Sequence, residues 1–119
     1  MKAKIFILVA LMLFCGKAFA WNDYNTPNYT YVHISTQATT IIHTSTAVLH
    51  SITINKPTAS SVITIYDSAT AANNVVGIIT LPATLLSEGP MTAIFDVSCP
   101  NGLTIVTGTA ASDITVAYR

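Results

Sequence analysis

Side chains branched at Cβ constrain the fold of this sequence more than any other feature. Of the 99 residues from Trp21 to Arg119, 38 are Ile, Val or Thr. Two heavy atoms on Cβ restrict χ1 in a helix but suit the pleated surface of a β-sheet. The sequence therefore predicts an all-β protein.

Alternation of apolar and polar residues divides this part of the chain into about eight short strands. Turn residues separate the strands, as in Asn55-Lys56-Pro57 and Pro100-Asn101-Gly102. A single sheet would leave one apolar face in water, so we expect an antiparallel two-sheet β-sandwich or a small jelly roll. The predicted strands are 29–36, 40–44, 48–54, 62–67, 75–81, 91–98, 103–107 and 114–118.

The first twenty residues have the pattern of a secretory signal peptide. Lys2 and Lys4 precede an apolar run over residues 5–14, which is shorter than a membrane-spanning helix. Ala18-Phe19-Ala20 supplies a small-x-small cleavage pattern. We therefore expect residues 1–20 to be removed and the protein to be secreted, extracellular or periplasmic.

The expected mature chain is one domain with few charges. It has two basic and five acidic residues, a net charge of −3. With no basic patch, neither nucleic-acid binding nor attachment to a membrane surface is expected. A surface of Thr, Ser and Asn favours packing against neighbours, so we expect a homo-oligomer or a larger assembly; a monomer with a Thr-rich surface is the alternative.

Aromatic and Asn residues set residues 21–31 apart as an N-terminal arm, ahead of a sandwich domain at 32–119. The arm contains Trp21, Tyr24, Tyr29 and Tyr31. Such side chains stack on sugars or anchor an arm to a neighbouring subunit. The arm is therefore a candidate contact segment for a glycan or a subunit, and the third interpretation is a partly ordered terminus that covers the open end of the core.

Three histidines are the one group of residues in the sequence that could bind a metal ion or act as a chemical site. A hairpin centred on Ala38 would place His33 opposite His43, and a second hairpin at Thr46-Ala47 would pair His43 with His50. Three histidines in a row could bind zinc or nickel. The stronger expectations are a His33/His43 pair without metal or separate histidines, so we expect no metal and no cofactor.

Cys99 is the single cysteine of the expected mature chain and lies where a strand meets a turn. A buried thiol is the main expectation, and an interchain disulfide is the alternative. Motifs of nucleophilic, phosphate-binding or metal-dependent enzymes are absent from the sequence, and its acidic residues are scattered singly. The sequence therefore predicts a protein that is not an enzyme.

The order of several short segments carries a resemblance that covers nearly all of residues 32–119. The segments are Val32-His33-Ile34-Ser35-Thr36, Val48-Leu49-His50-Ser51-Ile52-Thr53-Ile54-Asn55, Ile63-Thr64-Ile65-Tyr66-Asp67, Gly102-Leu103-Thr104-Ile105-Val106 and Ile114-Thr115-Val116-Ala117-Tyr118-Arg119. In this order the chain resembles small uncharacterised all-β proteins encoded by tailed bacteriophages. The resemblance implies a virion-associated role, such as capsid decoration or a fibre.

These observations together predict a secreted, non-enzymatic structural or surface-coating protein that self-associates, similar to a virion decoration protein. The alternative is a secreted carbohydrate-binding β-sandwich module that uses the aromatic residues of the arm.

Overall fold

Eight β-strands in two sheets make up the computed structural model, which describes residues 27–85 and 89–119. Each strand expected from the alternation is present, with ends that differ from the expectation by no more than two residues. Within the described residues there is no helix, and hence none that could cross a membrane. The strands are β1 (Thr30–Ile34), β2 (Thr39–His43), β3 (Ala47–Lys56), β4 (Val62–Tyr66), β5 (Val75–Thr80), β6 (Met91–Cys99), β7 (Leu103–Thr107) and β8 (Asp113–Tyr118).

The strands form two antiparallel sheets of four. Sheet A has the order β1-β8-β3-β6, and sheet B has the order β2-β7-β4-β5. The all-β, two-sheet architecture predicted from the sequence is therefore confirmed.

The strand pairs are nested along the chain. The first strand pairs with the eighth, the second with the seventh, the third with the sixth and the fourth with the fifth. This nesting arises when one long antiparallel hairpin is rolled into two sheets, and it is the strand order of a jelly roll. Only β4 and β5 are consecutive strands that pair with each other; the other connections cross from one sheet to the other.

The core lies between the sheets and is built from the inward-facing residues of the alternating strands. Leu49 and Ile52 of β3 and Ile63 and Ile65 of β4 belong to this core, and all four are fully buried. Burial of each such side chain contributes about 1.5–3 kcal/mol to folding. The core also contains Ile34, Ala47, Ile54, Leu81, Cys99, Leu103, Ile105, Ile114 and Val116.

Hydrogen bonds between loops close the sandwich at both ends. At one end Thr58 donates its backbone N–H to Ser112 Oγ at 2.9 Å. At the other end the carboxylate of Asp67 accepts from the backbone N–H of Asn101 at 2.8 Å and from its side-chain amide at 3.0 Å. The next residue, Gly102, has a φ of 125° and lies against the backbone of Ala69. These contacts hold the β4–β5 loop against the β6–β7 turn.

The last residue of the expected arm, Tyr31, belongs to a strand of the sandwich. Because β1 begins at Thr30, Tyr31 lies within the first strand and belongs to sheet A. Residues 1–20, Trp21 and Tyr24 lie outside the described residues.

Candidate functional site

The outer face of sheet A carries side chains of four strands in successive rows. One row contains Tyr31, Ala117, Ser51 and Ile94, which are register partners across β1, β8, β3 and β6. Tyr31 and Ile94 at the two edges are 66% and 69% exposed, whereas Ala117 and Ser51 between them are buried. The row therefore presents one aromatic and one aliphatic side chain on either side of a floor of small residues.

The next row towards the β1–β2 loop is entirely polar. It contains His33, Thr115, Thr53 and Thr92. The hydroxyls of Thr53 and Thr92 lie 2.9 Å apart. This row adjoins a cluster of polar side chains from three strands.

That cluster is centred on the carboxylate of Asp113, at the start of β8. His33 Nε2 donates to Asp113 Oδ1 at 2.8 Å, and Asn55 Nδ2 donates to the same oxygen at 2.8 Å. The Asn55 amide also donates to Thr115 Oγ1 at 2.9 Å. Strands β1, β8 and β3 therefore each contribute to one network, which we name the Asp113 cluster: His33, Asn55, Asp113 and Thr115.

Hydrogen bonds to the ionised form lower the pKa of Asp113 below its ordinary value. The bond from Asn55 is the largest cause, followed by the bond from His33. The side chains of His33 and Asp113 remain 58% and 34% exposed. The cluster therefore presents an ionised carboxylate that solvent and ligands can reach.

A second histidine–carboxylate pair lies at the opposite end of the same face. His50 Nδ1 donates to Asp96 Oδ1 at 2.5 Å, and the ring of Tyr29 stacks on His50 with centroids 4.3 Å apart. The guanidinium of Arg119 lies 5.9 Å from the Tyr29 ring centroid. Stacking of its ring on His50 therefore holds Tyr29 against sheet A.

A β-bulge positions this pair. The registers Leu49↔Val97 and Ser51↔Ile94 leave Asp96 and its neighbour opposite His50 alone. Asp96 has a φ of 46°, a left-handed conformation that Asp tolerates better than branched residues do. The bulge turns the Asp96 carboxylate towards the histidine on the neighbouring strand.

The predicted row of three histidines does not form. The β1–β2 and β2–β3 hairpins were wrong because β2 belongs to sheet B, whereas β1 and β3 belong to sheet A. His33 and His50 each bind a carboxylate at opposite ends of one face, and His43 lies beside Tyr118 with ring centroids 6.1 Å apart. Among residues 27–85 and 89–119, no group of three His, Cys, Asp or Glu side chains could hold a metal ion.

Cys99 is fully buried at the end of β6, and its thiol is free. Burial is the main cause that raises the pKa of this thiol, and the nearby charge of Asp67 raises it further. The expectation of a buried thiol is confirmed. An interchain disulfide is inconsistent with this position, because the sulfur has no access to the surface in the folded domain.

The outer face of sheet B is more apolar than that of sheet A. Ile41 on β2 and Val75 and Ile78 on β5 are the exposed large aliphatic residues, and Ile78 is 60% exposed. In one row Thr104 and Tyr66 lie between Ile41 and Val75, and in the next row Thr64 lies between Val106 and Ile78. Tyr66 and Val106 are half-buried. We name Ile41, Tyr66, Val75, Ile78 and Val106 the apolar face of sheet B.

Sequence reasoning missed Asn55, Asp96 and Asp113 as partners of the histidines. His33 and Asp113 are 80 residues apart, and His50 and Asp96 are 46 apart. Only the strand order brings these residues together. Strand alternation placed each of them within or beside a predicted strand, but it carried no information on the neighbouring strand.

No protein-family model, curated protein or solved structure matches this chain in the comparisons with known proteins.

Proposed function

We propose that this protein is a secreted, non-enzymatic structural domain that coats a surface by self-association through sheet B. The observation that carries the proposal is strand β5, at the edge of sheet B. It contains Val75, Val76, Gly77, Ile78, Ile79 and Thr80, with no charged residue and no proline.

Edge strands expose unpaired backbone N–H and C=O groups and can pair with another chain. Soluble proteins usually prevent this with lysine, proline, bulges or a covering segment. In β5 one bulge interrupts the pairing near Val76, and the stretch from Gly77 to Thr80 pairs regularly with β4. Its free side is therefore suited to pairing with another strand.

A second copy of the chain is the partner that β5 fits best. An uncharged strand is complementary to itself in the antiparallel direction, and a two-fold axis would join two four-stranded sheets into one of eight strands. The apolar faces of the two sheets would become continuous across the junction. Exposed Ile78 and Val75, beside the edge, would then contribute apolar contact as well as backbone pairing.

Fold-level analogy and the resemblance stated above both support a virion or surface-coating role. Jelly rolls occur in viral capsid proteins and in lectins, although a fold by itself does not specify a function. Small domains that decorate a capsid or a fibre act through such contacts rather than through chemistry. Carbohydrate binding through the aromatic residues of the arm, the alternative that the sequence predicts, is compatible with this assembly, because Tyr29 and Tyr31 of the arm lie on sheet A and β5 lies in sheet B.

The test is the light-scattering mass of a protein spanning residues 21–119 over a wide concentration range. We expect a dimer or larger assembly, and we expect Ile78→Lys to shift the protein to monomer by placing a charge on the β5 edge. The matched control is Ile94→Lys, which changes an equally exposed isoleucine on the edge strand of sheet A.

Reductant should leave the assembled mass unchanged, since Cys99 is buried. A wild-type monomer at every concentration would overturn the proposal. An assembly that dissociates with Ile94→Lys and resists Ile78→Lys would place the contact on sheet A and would also contradict it.

A further inference from the structure

We infer that the outer face of sheet A, from Tyr31 to the Asp113 cluster, is a binding site for a neutral oligosaccharide. This face lies on the opposite side of the sandwich from the apolar face of sheet B. The inference is therefore independent of the self-association proposed above.

The Asp113 cluster has unused hydrogen-bonding capacity. The bonds within the cluster use Asp113 Oδ1, Asn55 Nδ2 and His33 Nε2. Asp113 Oδ2, Asn55 Oδ1 and His33 Nδ1 have no partner among the described residues. The carboxylate and amide oxygens only accept, and Nδ1 is also an acceptor in the neutral ring whose Nε2–H donates to Asp113.

A ligand that fits this set must supply several hydrogen-bond donors from close positions. Sugar hydroxyls do so, and each can replace a solvent molecule without loss of hydrogen bonds. The positive charge of Lys56, the register partner of Asp113 on β3, offsets the carboxylate, so the site offers no excess charge to an ionic ligand. A neutral polyhydroxylated ligand therefore fits the chemistry of the cluster.

The exposed ring of Tyr31 offers a second kind of contact to a sugar. It lies on the same strand and the same face as His33, two residues away. The apolar face of a tyrosine ring packs against the C–H groups of a sugar. The tyrosine hydroxyl can form a hydrogen bond with a sugar hydroxyl at the same time. Its 66% exposure means that little protein covers this ring.

The spacing of these groups sets the size of the ligand. Tyr31 pairs with Ala117, which is four residues from Asp113 along β8, so the backbone positions that carry the ring and the carboxylate are about 13 Å apart along the strand. A single sugar ring cannot contact both. The ligand that spans them is an oligosaccharide lying along β1 and β8, with Thr115 and Thr53 between its ends.

The groups are held in place before a ligand arrives. Asn55 is fixed by two acceptors on β8, and the Asp113 carboxylate is fixed by two donors on β1 and β3. Side chains that are already ordered lose little conformational entropy on binding. This site differs from the aromatic arm expected from the sequence, because of the four arm aromatics it uses only Tyr31, and its polar contacts come from β1, β3 and β8.

The test is affinity electrophoresis of the protein spanning residues 21–119 in native gels that contain one polysaccharide each. The panel is neutral dextran, β-glucan, xylan, galactomannan and arabinogalactan, with polygalacturonate as an acidic polysaccharide. We expect retardation by at least one neutral polysaccharide. Tyr31→Ala and Asn55→Ala should each weaken that retardation about three- to tenfold, the effect of losing one net contact.

Two variants serve as matched controls on the same face. Ile94→Ala removes an equally exposed side chain at the other edge of sheet A, and Ser98→Ala removes an exposed hydroxyl of β6 far from the Asp113 cluster. Both should bind as the wild type does. Far-UV circular dichroism confirms that each variant is folded.

Failure to bind any neutral polysaccharide of the panel would overturn the inference, as would retardation by polygalacturonate alone. Binding that survives Tyr31→Ala and Asn55→Ala would place the site elsewhere and would also overturn it. The electrophoretic mobility in the absence of polysaccharide reports the assembly state, so a failure of the self-association proposal remains distinguishable.

Discussion

At the scale of single residues, Asp113 makes stability depend on pH in a defined direction. Its pKa is lowered in the folded protein, chiefly by Asn55 and then by His33, with a smaller effect from the charge of Lys56. The stabilisation is therefore fully present above the pKa of an unfolded aspartate, about 3.9, and is lost as the pH falls through the lower pKa of the folded state.

We predict that Asp113→Asn lowers the free energy of unfolding at pH 7 and that its difference from wild type shrinks as the pH falls below about 4. Urea denaturation of both proteins at neutral and acidic pH measures this difference. Thr92→Ala changes no titratable group, so its free energy of unfolding should differ from that of the wild type by the same amount at both pH values. A difference for Asp113→Asn that stays constant down to about pH 2 would show that the carboxylate is not stabilised in the folded state.

Gly102 is a residue whose conformation a side chain cannot adopt without strain. Its φ is 125°, and a Cβ at this position would lie 2.7 Å from the backbone nitrogen of Ala69. We predict that Gly102→Ala lowers the free energy of unfolding by at least about 2 kcal/mol, because the strained conformation and the backbone clash act together.

Gly89→Ala is the matched control for this substitution, since a Cβ there would meet nothing within 4 Å. The free energy of unfolding of Gly89→Ala should remain within about 0.5 kcal/mol of the wild-type value. Equal urea midpoints for the two variants would contradict the packing described for the β6–β7 turn.

At the scale of elements, alternation predicts the strands well because each strand buries one face. In β8, Ile114 and Val116 are buried while Asp113 and Thr115 face out, so the two-residue period is visible in the sequence itself. Period and turn residues thus located all eight strands within the described residues.

Partners of the strands could not be predicted in the same way. The short connection between Ile34 and Thr39 was interpreted as a hairpin, but in a jelly roll it crosses between the sheets. Alternation shows which residues face the core and does not show which strand lies beside them. For this reason the cross-strand histidine row was wrong, and the His33–Asp113 pair had no signal in the sequence.

The bulge in β6 gives a prediction at this scale. Asp96 adopts a φ of 46°, which a residue branched at Cβ disfavours. We predict that Asp96→Val lowers the free energy of unfolding by about 1–2 kcal/mol more than Asp96→Gly does. Both substitutions remove the carboxylate that binds His50. Thermal unfolding of the two variants measures the difference, and equal stability would argue against a left-handed bulge at this position.

At the scale of the whole molecule, the two outer faces of the sandwich have different chemistry. Sheet A presents two histidine–carboxylate pairs, threonines and the exposed Tyr31. Sheet B presents aliphatic residues and threonines without charge, as far as the uncharged edge strand β5. A domain of this kind can associate through one face while the other remains open to a ligand.

Amide hydrogen exchange of the protein at high and low concentration tests the central claim, self-association through β5, most directly. Backbone N–H groups on the free side of an edge strand exchange readily, and pairing with another strand protects them. We predict that protection of β5 rises with concentration while protection of edge strands β1 and β6 stays constant, and that Ile78→Lys removes the rise. Protection that increases at β1 or β6 instead, or at no edge strand, would contradict this account of assembly.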